Sequence, residues 1–201
     1  YVNELVNPFY NNFIKKVDRQ LVLVDVVNTL YAGPEYVDDM RQALTNITDS
    51  FSFGQQNRLT QMVSSKIDKV IFAATKIDQV ASEDHEAVRD LLAVIVRQAY
   101  KNAQYQGVDP LCEATAAVRS SNEINNGNDK YLDGYLLDGS RKGYEHPSIP
   151  KRIPEGNQWD KFLSWDSPTL SPPHGLSSKN QDVLPHIRID TILNLLIGDK
   201  C

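Results

Sequence analysis

The chain has 201 residues, of which 41% are hydrophobic and 23% charged, enough for one domain with a real apolar core. Its net charge is −5 and its pI about 5.4. That acidic balance argues against nucleic-acid binding as the main function, while leaving room for a local basic phosphate site. No apolar run approaches the ~18 residues needed to cross a membrane, so no membrane span is expected. Cys112 and Cys201 do not make a disulfide framework, which points to a reducing cytosol. The N-terminus lacks the basic-then-apolar order of a signal peptide. It opens on Tyr1 rather than Met, which reads as a fragment or a processed product.

In chain order, the first strong signal is the valine-rich run Gln20–Val27. An unbroken apolar run of this length fits a strand covered on both faces, as in a parallel sheet. From Glu35 to Ser50 the apolar residues Val37, Met40, Leu44 and Ile47 recur at helical spacing, with Pro34 and Glu35 suited to the first turn. A shorter helix is expected over Gln55–Ser64. Lys69–Thr75 is a second buried strand. Ser82–Ala103 is again helical, with Ser82 as its N-cap and Val88, Leu91, Leu92, Ile95 and Ala99 on one side. Cys112–Val118 is a weaker third strand. Such alternation predicts an α/β fold built from βαβ units around a parallel sheet. Residues 120–185 are rich in Gly, Asn, Asp, Ser and Pro and read as an irregular insertion of loops and short strands, anchored by Trp159, Phe162 and Trp165. A short helix over Asp190–Lys200, capped by Asp190 and ended by Gly198, closes the chain. The expected organisation is therefore 1–119 as the sheet, 120–185 as the insertion and 186–201 as the closing helix of the same domain.

The most informative stretch is Thr75-Lys76-Ile77-Asp78, past the end of a buried strand and before a helix. In open α/β sheets ligands bind beyond the carboxyl ends of the strands. The pattern [Asn/Thr]-Lys-x-Asp in this place is the guanine-recognition motif of P-loop GTPases. An aspartate accepts two hydrogen bonds, from the guanine ring N–H and its amino group, an edge adenine does not offer. The lysine stem lies along the base, and Thr75 ties the loop to its neighbours. The bland alternative is a surface ion pair between Lys76 and Asp78. Asp25, at the end of the first strand, fits a Walker B aspartate that holds Mg²⁺ through water; the alternative is that it caps a turn. The usual Asp-x-x-Gly continuation is replaced by Asp25-Val26-Val27-Asn28, which departs from a standard switch. Arg119 and Ser120 follow the third strand, where GTPases offer backbone N–H groups to the base oxygen. The four histidines show no metal-ligand spacing, and His85 reads as exposed on its helix. No Gly-x-x-x-x-Gly-Lys-[Ser/Thr] stretch occurs among the 201 residues.

The whole chain resembles the C-terminal portion of the YcjX-like family of bacterial P-loop proteins. The stretches that carry the resemblance are Asp18-Arg19-Gln20 with the following LVLVDV, Ala32-Gly33-Pro34, Ser50-Phe51-Ser52-Phe53-Gly54, IDKVIFAATKID over Ile67–Asp78, and the ending Leu184–Lys200. The resemblance implies a three-layer P-loop NTPase-like sheet with flanking helices, lacking the phosphate-loop strand in this fragment. Loss of that strand from between the first two found here would leave a closed-up sheet or pairing with another chain. It also implies binding of GTP or GDP, with ATP as the other option, through Thr75, Lys76, Asp78, Arg119 and Ser120, and Mg²⁺ in the full-length protein. The fragment is expected to be inactive alone and to hold no cofactor. A bacterial cytoplasmic setting, a link to stress-response operons, and a homo-oligomer or the missing N-terminal part as partner complete the expectation. The other reading is a non-catalytic regulatory or scaffold protein on the same fold.

Overall fold

The computed structural model describes residues 17–49, 67–126, 129–165, 168–173 and 184–200. Its centre is a parallel sheet of three strands in the order β1 (Arg19–Val24), β2 (Lys69–Ala74), β3 (Asp109–Ala114). All three run flush: Val24, Ala74 and Ala114 stand side by side at the carboxyl end. β2, in the middle, is buried along almost its whole length, which is why its sequence is apolar without alternation. β1 pairs with β2 through six consecutive positions, so nothing lies between them. Among the described residues the other edge of β1 has no strand partner.

β1 ends three residues sooner than its valines suggest. Asp25 turns the chain, and Val26 and Val27 open helix α1 (Val26–Ala32). The carboxylate of Asp25 accepts from the Asn28 backbone N–H at 3.2 Å, an N-cap that overrides the strand preference of valine. Both valines are fully buried there. Gly33, at φ +104°, makes the break that separates α1 from α2 (Pro34–Asp49), and Pro34 occupies the first helical position. The helix expected over Gln55–Ser64 lies outside the described residues.

After β2 come two 3₁₀ turns, Ile77–Gln79 and Ser82–Asp84, before α3 (His85–Ile95) and α4 (Arg97–Tyr105). The single long helix expected here is thus split at Val96. Ser82 does not cap it, because its hydroxyl turns to Glu123 instead. β3 begins three residues earlier than expected; it accommodates Pro110 because its outer side is an edge. Val70, Phe72 and Ala74 of β2 pack with Val88, Leu91, Leu92 and Ile95 of α3 in the main core. Ile71 and Ala73 face the other way. On that side lies α6 (Ile189–Ile197), with Ile192 buried. This makes three layers. Arg188 at φ 56° stands before α6, and Asp190 falls in its first turn rather than at its cap.

The region expected to be irregular contains a second sheet. β4 (Ser121–Asn126), β5 (Asp129–Tyr135) and β6 (Arg141–Tyr144) form an antiparallel meander. Its polar composition hid it: only one face of a small antiparallel sheet needs to be apolar. Beyond it, Trp159 and the short helix α5 (Asp160–Leu163) carry Phe162 into the main core, and Trp165 stacks on Tyr31 of α1 with centroids 3.9 Å apart. The three aromatic residues therefore anchor this region as expected.

Candidate functional site

The loops after β1, β2 and β3 meet at one rim. The backbone ladder continues into them: Thr75 N–H donates to Val24 O at 2.9 Å, Thr115 N–H to Ala74 O at 2.8 Å, and Ile77 N–H to Thr115 O at 3.3 Å. Thr75 Oγ1 also reaches Val24 O at 3.4 Å, so this residue ties the motif loop to the end of β1.

Lys76 is one of two non-glycine residues with positive φ among the described residues, at 59°. A left-handed lysine is strained, and such strain is kept where surrounding structure demands it. Its Nζ stands 2.7 Å from Asp25 Oδ2 and is about half exposed. The sequence offered a Lys76–Asp78 pair as the bland alternative; the partner is Asp25. Asp25 Oδ2 also accepts from Asn28 Nδ2 at 2.8 Å. The Asp25 carboxylate thus meets one cation and two N–H groups. Among the described residues no three His, Cys, Asp or Glu side chains are arranged to hold a metal.

Asp78 is 7% exposed. Burial pushes its carboxyl above the usual range, opposed by the Ser120 N–H, which donates to Oδ2 at 2.9 Å. Ser121 Oγ donates to the Asp78 carbonyl. Ser120 is therefore brought against Asp78, whereas the Arg119 side chain is exposed. The Arg119 N–H donates to Pro185 O at 2.7 Å, and Thr115 Oγ1 to Ile187 O at 2.7 Å, so the closing segment braces the loop after β3.

His85 is buried, not exposed as its helix position suggested. Burial, and Arg188 nearby, push its imidazole below the ordinary histidine range, and its ring is bonded to the backbone at Val80 and Ile77. Sequence reasoning also missed Glu123 and His146. Glu123 accepts from the Ser82 N–H and, at 3.0 Å, from Ser82 Oγ; His146 Nε2 accepts from the Ala81 N–H at 2.7 Å. No local signal marks them, since each lies more than 40 residues from its partner.

What this arrangement offers chemically is a rim with one nearly buried carboxylate, one lysine held in an unusual backbone conformation, and the Ser120 N–H set against that carboxylate. A relative named Ras-like GTPase YcjX from Escherichia coli K12 is 35% identical over 208 residues, covering 100% of this chain and 43% of that protein. Another of the same name from Shewanella oneidensis is 30% identical over 205 residues, covering 100% of this chain and 42% of that protein. The chain thus spans less than half the length of these relatives and matches their C-terminal part. The model of the YcjX-like family, DUF463, matches residues 1–201, and the chain belongs to that family.

Proposed function

We propose that this chain is the base-recognition part of a guanine-nucleotide-binding protein of the P-loop class. Asp78 reads the base edge, Lys76 lies along it, Thr75 fixes the loop, and the loop of Arg119 and Ser120 lies beside the base. The observation that carries the reading is the Thr75–Asp78 turn at the carboxyl rim of a parallel sheet, with the Asp78 carboxylate gathered against the loop after β3. The relatives' printed name, Ras-like GTPase, supports the same reading.

β1 and β2 pair directly here, so the phosphate-binding strand of a P-loop sheet would have to part them or lie along the other edge of β1. Mg²⁺ would arrive with the phosphates, with Asp25 near it through water. Without such a strand the chain would not hydrolyse nucleotide, because phosphoryl transfer rests on the phosphate loop, its lysine and the metal. Residues 1–119 would form the sheet part, 120–185 the insertion and 186–201 the closing helix. The setting would be the bacterial cytoplasm.

The test is Asp78→Asn in the full-length protein. Two hydrogen bonds to a charged acceptor contribute roughly 1.5–3 kcal/mol each, so the preference for GDP over xanthosine diphosphate should fall at least ~100-fold. An unchanged preference removes Asp78 from base reading.

A second reading, a non-catalytic scaffold, is favoured by one observation: Asp78 is already occupied by Ser120 and almost closed to solvent. GTP turnover by the full-length protein with Mg²⁺ excludes it; absence of turnover together with absence of GDP binding supports it.

A further inference from the structure

The segment Ile77–Asp84 carries the proposed base-reading carboxylate, yet it has little regular structure of its own. It consists of two three-residue 3₁₀ turns, neither with a side-chain cap from its N-cap residue. Its support comes from the second sheet and the loop that leaves it. Ser120 and Ser121, at the start of β4, hold the carboxylate and carbonyl of Asp78. Glu123 on β4 takes both the N–H and the hydroxyl of Ser82. His146, two residues past β6, takes the Ala81 N–H, while its Nδ1 lies 3.0 Å from Pro147 O and 3.8 Å from Asp84. Three separate points of one sheet unit thus grip one short segment.

The seat of Ser120 is set from the same sheet. Gly134 on β5 stands opposite Ser121. A Cβ there would lie 2.8 Å from Ser120 O and 2.9 Å from the Leu170 side chain. Any side chain at this position must therefore push the Ser120 backbone, and with it the N–H that meets Asp78.

We propose that the β4–β6 sheet sets the selectivity of the base site, with Glu123 and His146 as positioning residues and Gly134 as the backbone seat of Ser120. This rests on the base-reading role of Asp78. The sheet acts by fixing where the carboxylate points rather than by touching the base, so its loss changes discrimination more than overall stability.

The experiment uses the full-length protein and compares its affinity for GDP with that for inosine diphosphate, which lacks the exocyclic amino group. Glu123→Ala, His146→Ala and Gly134→Ala should each lower the GDP preference about tenfold. Glu123→Gln and His146→Gln, which keep an acceptor in place, should restore most of it. Amide exchange at Ala81 and Ser82 should quicken in the alanine variants and not in the glutamine ones. Folded alanine variants whose preference stays within twofold of wild type overturn the proposal. If the alanine variants do not fold, Ser82→Ala, at an exposed position, decides: a preference unchanged from wild type overturns it. A wild-type protein without the preference, or Asp78→Asn retaining it, sinks the base-reading role itself. Loss in Asp78→Asn alone sinks only the role of the sheet.

Discussion

The strained lysine gives the sharpest test of the rim. Lys76 holds φ 59° and ψ 32°, a left-handed conformation that disfavours residues with a Cβ by about 1–2 kcal/mol. Its ion pair with Asp25 is 2.7 Å long but half open to water, so it contributes at most ~1 kcal/mol. Lys76→Ala loses the ion pair and keeps the strain. Lys76→Gly loses the ion pair and relieves the strain, but the greater freedom of unfolded glycine takes back about 0.5–1 kcal/mol. The glycine variant should therefore exceed the alanine variant by about 1 kcal/mol, or roughly 2–4 °C in Tm for a chain of this size. Urea denaturation of the two variants under identical conditions reads the difference directly. An alanine variant more stable than the glycine one would refute the left-handed turn. Nucleotide affinity in the full-length protein should drop in both, since both lose the side chain. A glycine that fits the turn about as well as the lysine yet fails in binding is the mark of strain held for function.

Asp78→Asn should stabilise the chain at pH 7. Burial raises the folded pKa of Asp78, so its favourable contribution is fully present below the unfolded value of ~3.9 and is lost as pH rises through the folded one. The Asn variant escapes that loss, and its advantage in thermal melts should vanish as pH is lowered to about 4; an advantage independent of pH contradicts a buried ionised carboxylate. Phe72→Ala, at a site with 0% exposure in the middle strand, should cost about 3–5 kcal/mol in urea denaturation. Gly33→Ala forces φ +104° on a residue with a Cβ, which would also come within 3.1 Å of Leu163, and should cost about 1–3 kcal/mol; a cost below ~0.5 kcal/mol would mean the α1–α2 junction has another shape.

The parts of this molecule that were legible in the sequence are those governed by local pattern. The apolar runs of β1 and β2, the periodic face of α2 and the place of Thr75–Asp78 at a strand end all follow from side-chain period and burial. The errors arose where one residue outweighed its neighbours. Asp25 capped a helix and converted Val26 and Val27, good strand formers, into its first turn. Val96 interrupted a helix whose apolar face continued on both sides. The second sheet was hidden by its polar composition, and the contacts of Glu123 with Ser82 and of His146 with Ala81 join residues far apart in sequence. The partner of Lys76 was misjudged for the same reason, since Asp25 is 51 positions away and Asp78 only two.

The ladder does not stop where the strands do. Three backbone bonds carry it onward from Val24, Ala74 and Thr115 into the turns above. Those turns are therefore tied to the sheet beneath them before any ligand arrives. Ordering a free backbone costs about 1–2 kcal/mol per residue, and here that cost has already been met during folding. A planar guest at this ledge would keep nearly all the energy of its contacts, and would tolerate very little misfit in return.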